Sequence, residues 1–160
     1  MSDLRMVQLR DAAHADYEGM LSVARSLPEW FNEQGLLEMS RDFETDQAIV
    51  AVFDEAVVGF VTWRPPSGGR EGNLAELTWL GVAPKFQGLG VGRQLVDALV
   101  DRCRQTGVSV LEVATLADSV DYAPYVGTRA FYRRLGFRDW RVDAGFYGPD
   151  ADRLLLRLSL

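Results

Sequence analysis

A glycine-rich segment carries the clearest chemical signal in the sequence. It lies between an apolar run typical of a strand and an amphipathic run typical of a helix, and it reads Gln87-Gly88-Leu89-Gly90-Val91-Gly92-Arg93. Glycine lets backbone N–H groups approach a ligand without a Cβ in the way. The first turn of the helix adds unpaired N–H groups and the positive end of the helix dipole. The segment therefore predicts an anion site suited to a pyrophosphate, with Arg93 adding positive charge.

Two other phosphate-binding loops do not match this segment. A Walker A loop ends in Gly-Lys-Ser/Thr, whereas Gly92 is followed by Arg93 and Gln94. A dinucleotide-binding fingerprint requires a third glycine at a position that Leu95 occupies. The alternative that stays open at this point is a strand-to-helix turn that binds nothing.

A second segment, Thr128-Arg129-Ala130-Phe131-Tyr132-Arg133-Arg134-Leu135-Gly136-Phe137, reads as a helix with a glycine stop followed by a strand. With the first segment it resembles the GNAT superfamily of acyl-CoA N-acyltransferases. The superfamily's Gln/Arg-x-x-Gly-x-Gly/Ala loop is matched by Gln87, Gly90 and Gly92. Its Phe/Leu-Tyr-x-x-x-Gly-Phe segment and its Val-x-Pro are matched by Phe131, Tyr132, Gly136 and Phe137, and by Val82-Ala83-Pro84. The resemblance extends from about Phe53 to Trp140.

The resemblance implies acetyl-CoA as co-substrate. Backbone groups on the strand before the loop would pair with the pantetheine arm: Leu80, Gly81 and Val82. Backbone amides of the loop would hold the pyrophosphate: Gly88, Leu89, Gly90, Val91, Gly92 and Arg93. The strands that end at Val82 and Thr115 would splay around a slot for the thioester, and Tyr132 would protonate the departing thiolate.

One position departs from the family pattern. Many members carry Asn seven residues before the tyrosine, where it contacts the cofactor arm, and here that residue is Tyr125. The phenol of Tyr125 is one replacement for the contact. Thr128 shares its side of the helix and is the other.

Acylation of an amine also requires a base, because the amine is protonated near neutral pH and must lose a proton to attack the thioester. Glu76, on the strand that leads into the loop and on the predicted face of Leu80 and Val82, is the first candidate. Glu112 on the next strand is the second, and both positions match bases used by members of the superfamily. Weaker candidates are Asp118 and Asp121. No metal site is predicted, and Cys103, on the apolar face of a helix, is expected to be a buried thiol.

Hydrophobic periodicity supplies the elements that position these residues. Strands are predicted at residues 7–10, 48–53, 57–63, 74–82, 108–115, 137–142 and 153–158, and helices at 16–27, 29–41, 90–106 and 125–135. Hairpins alternate with crossover helices in this order. The predicted fold is α/β, with a mixed, mostly antiparallel sheet, helices on both faces and strands splayed around an acyl-CoA slot.

Composition fits one domain over residues 1–160, with 48% hydrophobic residues, and argues against a nucleic-acid partner, since the net charge is −6. No signal peptide or membrane span is visible, and a single cysteine fits a reducing compartment, so a cytoplasmic location is expected. Members of the superfamily are often homodimers, and the sequence leaves the oligomeric state open.

The predicted function is direct transfer of an acetyl group from acetyl-CoA to a primary amine of a small molecule, an amino acid or a peptide. Two alternatives stay open. One is a non-catalytic acyl-CoA-binding regulatory module, and the other is an acyltransferase that prefers a longer acyl group. The presence of both Glu76 and Tyr132 favours the enzyme.

Overall fold

Seven strands form one mixed sheet in the computed structural model, which describes residues 7–67 and 73–160. The strands are β1 (Gln8–Asp11), β2 (Gln47–Phe53), β3 (Ala56–Arg64), β4 (Leu74–Val82), β5 (Val110–Leu116), β6 (Arg138–Asp143) and β7 (Arg153–Ser159). Their order in the sheet is β1-β2-β3-β4-β5-β7-β6. β4 and β5 are parallel, while β1–β2, β2–β3, β5–β7 and β6–β7 are antiparallel. The predicted mixed, mostly antiparallel α/β fold is confirmed.

Four α-helices connect the strands: two lie between β1 and β2, one between β4 and β5, and one between β5 and β6. They are α1 (Tyr17–Arg25), α2 (Glu33–Asp42), α3 (Val91–Gln105) and α4 (Ala123–Arg134). The order of all eleven elements is the predicted one. Backbone contacts divide the chain into two compact units, Met1–Arg64 with Thr78–Arg102 and Pro65–Leu77 with Cys103–Leu160, which are described separately below. The single domain stays a prediction, and part of the predicted Pro/Gly-rich loop lies outside the described residues.

In the first unit, β3 is covered by helices on both faces. Phe60 belongs to a buried cluster formed with side chains of α1 and α2. The neighbouring Gly59 points to the opposite face, where a Cβ would lie 3.2 Å from Leu95 and 3.5 Å from Val91 of α3. The β2–β3 turn consists of Asp54 and Glu55, both at positive φ, which matches the twist of a tight hairpin.

In the second unit, α4 packs on the apolar face of β5 and β7. Leu111 and Val113 are buried on this face, and Leu111 pairs with Leu158 of β7. A Cβ at Gly136, just past α4, would lie 3.4 Å from Leu158. Glu112 lies between Leu111 and Val113 on β5, so its side chain points to the opposite face. The second unit therefore has one apolar face and one that carries charge.

Local capping explains where the predicted helix boundaries were wrong. α2 begins at Glu33 and not at Glu29, because the Asn32 side chain accepts a hydrogen bond from Gly35 N at 2.8 Å. α4 begins two residues before the predicted Tyr125, since Pro124 is favourable in a first turn. β5 begins at Val110 because the amide of Val108 still bonds to Cys103 O, at the end of α3.

Among residues 7–67 and 73–160, none of the helices combines the length and apolar character that a membrane crossing requires. The same residues hold no group of three or more His, Cys, Asp or Glu side chains that could bind a metal ion.

Candidate functional site

The glycine loop is anchored at both ends in the first unit. The Gln87 side chain donates a hydrogen bond to Val82 O at 3.0 Å, which ties the loop to the end of β4. A one-turn 3-10 helix, Pro84–Phe86, leads into the loop, and the amide of Gln94 bonds to Gly90 O at 3.0 Å as α3 begins. Gln87 belongs to the segment that is predicted to contact the cofactor, and that contact stays a prediction.

The backbone of the loop adopts the conformations that its glycines permit. Gly88 and Gly90 have φ of +76° and +86°, values that L side chains rarely adopt. No atom of the structure lies within 4 Å of a Cβ built at either position. Both positions are exposed, so a ligand can approach the backbone closely there. With the N-terminus of α3 next to them, these residues form a cradle that fits a pyrophosphate.

After the loop, one side of α3 packs against the sheet and the polar side of the helix faces solvent. Val91 and Leu95 are buried, whereas Arg93 is exposed and lies 3.9 Å from Asp97 one turn later. The Arg93 guanidinium therefore lies close to the start of the helix. Its partner Asp97 is exposed, and the net attraction within an exposed ion pair is small. The guanidinium is available to an anion at the loop.

A polar network fixes the part of β4 that precedes the loop. Thr78 donates a hydrogen bond to Asp46 at 2.7 Å, and the indole N–H of Trp79 donates to Asp42 at 2.8 Å. Arg64 lies 2.9 Å from Asp42 and 3.2 Å from Asp46, so one guanidinium bridges both carboxylates. Burial raises the pKa of Asp46, against the bonds from Thr78 and Arg64. The network thus holds two consecutive residues of β4 in place.

The alternation of β4 is interrupted within this network. The Thr78 and Thr62 hydroxyl oxygens are 2.6 Å apart, and a Cβ at Gly81 would lie 2.9 Å from the ring of Phe60. Thr62 and Phe60 are two residues apart on β3, so their side chains point to the same face of the sheet. On β4, Thr78 and the Cβ position of Gly81 both approach these two residues, although they are three residues apart. This requires a bulge-like break between them. The expectation that Glu76 shares a face with Val82 is therefore wrong, because the break reverses the alternation before Gly81, and the shared face with Leu80 stays a prediction.

In the second unit, the two candidate bases are neighbours. The parallel pairing of β4 with β5 runs from Leu74–Val110 to Leu77–Val113 and sets Glu76 beside Glu112. Glu112 also pairs with Arg157 of β7, whose Nε donates to Glu112 Oε2 at 2.8 Å. Arg157 in turn lies over the exposed ring of Trp140, at 4.1 Å from its centroid. Both carboxylates thus occupy the charged face of this unit, and that of Glu112 is engaged in an ion pair.

The remaining carboxylate candidates belong to the surface. Asp118 is exposed and accepts hydrogen bonds from both terminal nitrogens of Arg133, the shorter at 2.8 Å. These bonds hold the pKa of Asp118 below its usual range, which makes it a poor proton acceptor. Asp121 is also exposed.

Tyr132 is buried in α4 between two aromatic neighbours. Its ring meets those of Phe131 and Phe137 edge to face, with centroids 5.2 Å and 5.4 Å away. Burial raises the pKa of the Tyr132 hydroxyl well above its ordinary value. The phenol therefore stays protonated at neutral pH and keeps a proton to donate.

Thr128 and Tyr125 are the two other predicted cofactor-binding residues on α4, and each interacts with a residue at the start of that helix. Thr128 Oγ1 donates to Pro124 O at 3.3 Å. Tyr125 is half-buried, with its ring 5.9 Å from that of Tyr122, and burial raises the pKa of its hydroxyl. Their predicted contact with the cofactor arm stays a prediction.

Sequence reasoning missed Arg129, which is buried beneath the end of β5. Its Nη1 donates to Leu116 O at 2.8 Å and to Ala117 O at 3.3 Å, and its Nε lies 3.5 Å from Asp118. An arginine within a helical motif gives no signal of this role, since arginine is usually exposed. Cys103, by contrast, is buried as expected.

Comparison with known proteins identifies the family of the chain. The family model described as the acetyltransferase (GNAT) family matches residues 8–137. The chain belongs to the acetyltransferase (GNAT) family. The predicted family is confirmed, and with it the class of enzyme to which the chain is related.

Two curated relatives, both mycothiol acetyltransferases, are much longer than the chain itself. It is 29% identical over 151 residues to mycothiol acetyltransferase of Stackebrandtia nassauensis, covering 91% of the chain and 44% of that protein. It is 31% identical over 143 residues to mycothiol acetyltransferase of Pseudarthrobacter chlorophenolicus, covering 86% and 38%. The chain thus spans less than half the length of either relative.

Solved structures of GNAT proteins share the fold. A GNAT family protein from Desulfovibrio desulfuricans superimposes with a TM-score of 0.84 at 24% identity, covering 96% of this chain and 98% of that one. A GNAT family acetyltransferase from Elizabethkingia anophelis, solved with acetyl-CoA bound, gives 0.74 at 16% identity, covering 97% and 99%. At these identities the likeness establishes the fold.

Proposed function

We propose that the chain transfers an acetyl group directly from acetyl-CoA to a primary amine. The observation that carries the proposal is the cradle at Gly88 and Gly90, two exposed positive-φ glycines at the start of α3. Membership of the acetyltransferase family supports acetyl-CoA as the ligand of that cradle. Amides of the loop and Arg93 bind the pyrophosphate, as the dipole and unpaired N–H groups of a helix start favour.

The chemistry requires few groups from the protein. The amine nitrogen forms a bond to the thioester carbonyl carbon, the C–S bond breaks, and the amine loses one proton while the sulfur gains one. Glu76, directly or through a water molecule, accepts the proton of the amine. The hydroxyl of Tyr132, which is protonated at neutral pH and whose pKa burial raises further, donates a proton or a hydrogen bond to the sulfur.

Glu76 is proposed as the base because of its position in the sequence pattern, while Glu112 has a structural role of its own. The carboxylate of Glu112 receives the hydrogen bond of Arg157 at 2.8 Å, and both side chains are largely buried. Taking a proton onto that carboxylate would break this ion pair, which is costly when the pair is buried. Glu112 is therefore better suited to hold β5 and β7 together.

The acceptor is proposed as an amine on a small molecule, an amino acid or a peptide. The relatives named mycothiol acetyltransferase and IAA acetyltransferase support a small molecule. A cytoplasmic location fits this proposal, as does a homodimer.

Two measurements on the same preparation test the function. Titration calorimetry with acetyl-CoA measures binding, and release of free thiol over a panel of small amines, amino acids and peptides measures transfer. We expect micromolar binding and amine-dependent thiol release. Tight binding without thiol release for any amine would favour the acyl-CoA-binding regulatory module. Faster thiol release with a longer acyl-CoA would favour the acyltransferase that prefers a longer acyl group.

A further inference from the structure

One carboxylate joins two loops of the second unit. The β5–α4 loop covers residues 117–122, and the β6–β7 loop covers residues 144–152. Asp152 accepts a hydrogen bond from Gly145 N through one oxygen and from Ser119 Oγ through the other, both at 2.8 Å. These bonds hold the pKa of Asp152 below its usual range, so the carboxylate is charged at neutral pH. The two loops are therefore fixed to each other by the chain itself.

The same loops expose a group of aromatic side chains. Tyr122 is 40% exposed, and Phe146 and Tyr147 are 55% and 49% exposed. The ring centroid of Tyr122 lies 5.9 Å from that of Tyr125 in the first turn of α4, and those of Phe146 and Tyr147 are 5.1 Å apart. Single exposed apolar residues are common on proteins, whereas a cluster of them marks an interaction site.

Electrostatic interactions connect these rings with the proposed acid. Burial raises the pKa of Tyr125, and the hydroxyls of Tyr147 and Tyr122 raise it further. Burial also raises the pKa of Tyr132, and Tyr125 adds to that effect. Interactions between charges near the surface are screened beyond about 10 Å, so aromatic residues of both loops lie near Tyr125, which itself lies near Tyr132. The exposed rings thus form one surface that extends towards the proposed acid.

The charge of the two loops favours a cation. Their charged side chains are four aspartates, and neither loop contains lysine, arginine or histidine. Two of these aspartates, Asp121 and Asp150, are exposed. One ring of the surface already holds a cation, because the Arg153 guanidinium lies 3.5 Å from the centroid of Phe146. Aromatic faces attract ammonium and guanidinium groups, and neighbouring carboxylates add to the attraction.

We infer that this surface binds a second positive charge on the acceptor, which is therefore a diamine or a longer polyamine. The inference rests on the proposed function and names the acceptor class for it. One nitrogen of the acceptor loses its proton and attacks the thioester. The other nitrogen stays protonated and lies against Tyr122 and Tyr147, with Asp121 adding negative charge. A monoamine of equal length lacks this contact and is a poorer substrate.

The first test compares three amines at saturating acetyl-CoA: 1,5-diaminopentane, pentylamine and phenethylamine. The kcat/KM from thiol release should be about ten-fold higher for diaminopentane than for pentylamine, mainly through a lower KM. Added salt should reduce this preference, because attraction between exposed charges is screened. Phenethylamine, which has an aromatic ring and no second charge, should behave like pentylamine.

The second test removes the surface one group at a time. Tyr147→Leu keeps an apolar side chain without a ring, and it should raise the KM for diaminopentane about five-fold and that for pentylamine less. Asp121→Asn removes a charge at nearly constant volume and should act in the same direction. Trp140→Leu is the matched control, because Trp140 is a 56% exposed aromatic residue of β6 outside both loops. It should leave the preference for the diamine unchanged.

Four outcomes would overturn the inference. Equal kcat/KM values for diaminopentane and pentylamine would do so and leave the proposed function intact. A preference for phenethylamine that Tyr147→Leu abolishes would assign the surface to an aromatic acceptor. A preference for the diamine that neither loop variant lowers would place the second charge elsewhere. A wild-type chain that binds acetyl-CoA and acetylates no amine would overturn the proposed function itself, and the inference with it.

Discussion

The glycine loop and helix α4 are built in opposite ways, although both carry the family's sequence pattern. In the loop, the residues from Gln87 to Gly90 are exposed, and the backbone geometry at Gly88 and Gly90 is the distinctive feature. In α4, the distinctive features are side chains: Arg129 and Tyr132 are buried, and each has defined neighbours.

The difference indicates how each region is expected to respond to mutation. A backbone site tolerates a change of side chain as long as the glycine conformations survive. A side-chain site depends on single atoms, so removal of one oxygen alters it without a change in shape. Substitutions that separate shape from chemistry therefore test whether the two regions act as proposed.

The largest effect is expected in the loop. Gly90→Val should reduce the affinity for acetyl-CoA on the order of a thousand-fold, because it distorts the amides that hold the pyrophosphate. The matched control is Gly107→Val, since Gly107 also has positive φ (+79°) and open space around a Cβ. Both variants should lose similar stability from backbone strain, about 1–3 kcal/mol. Titration calorimetry on the folded proteins should show a loss for Gly90 alone, and equal losses would place the effect in the fold.

The next effect is expected in α4. Tyr132→Phe removes one hydroxyl and retains the ring that packs between Phe131 and Phe137. Turnover should fall about a hundred-fold if the hydroxyl donates a proton to the sulfur, while acetyl-CoA affinity changes little. Single-turnover kinetics would separate chemistry from product release. Full turnover under conditions where chemistry limits the rate would assign Tyr132 to packing.

A smaller effect is expected at Glu76, on the charged face of the second unit. Glu76→Gln should lower turnover about ten-fold at neutral pH and leave acetyl-CoA binding intact. Activity should recover as the pH rises, because a neutral amine no longer needs a base. Glu112→Gln should have less effect on turnover and more on stability, since it removes the charge of Glu112 from its ion pair with Arg157. The reverse ranking in a pH–rate profile would transfer the role of base to Glu112.

The smallest effect concerns the surface ion pair at α4. Arg133 lowers the pKa of Asp118, so the pair stabilises the fold above the ordinary carboxyl pKa of about 3.9 and this contribution is lost as the pH falls. Asp118→Asn should therefore unfold at a slightly lower temperature than the wild type at pH 7, and the difference should shrink as the pH falls below about 3.9. Thermal unfolding across this range measures the difference, and a constant offset would show that the carboxylate charge is irrelevant.

Periodicity, apolar runs and turn residues together predicted the order of the strands and helices that the structure describes. β4 was predicted with its observed bounds, and the Asp54-Glu55 turn was placed correctly. The errors came from local bonds that periodicity does not contain, such as the cap that Asn32 provides to α2. The face of Glu76 was predicted from strict alternation, and Thr78 and Trp79, held by two aspartates from a distant part of the chain, break that alternation.

The sequence by itself determined the family, the order of elements and the glycine loop, because these depend on local residue types and their spacing. Tertiary structure alone decided which polar groups have partners. It engages Glu112 with Arg157 and buries Arg129 under the end of β5, and it leaves the Thr115 hydroxyl unpaired in a closely packed face. The physical reason is that a hydrogen bond between distant residues forms only when packing brings them within about 3 Å, a condition that no local pattern encodes.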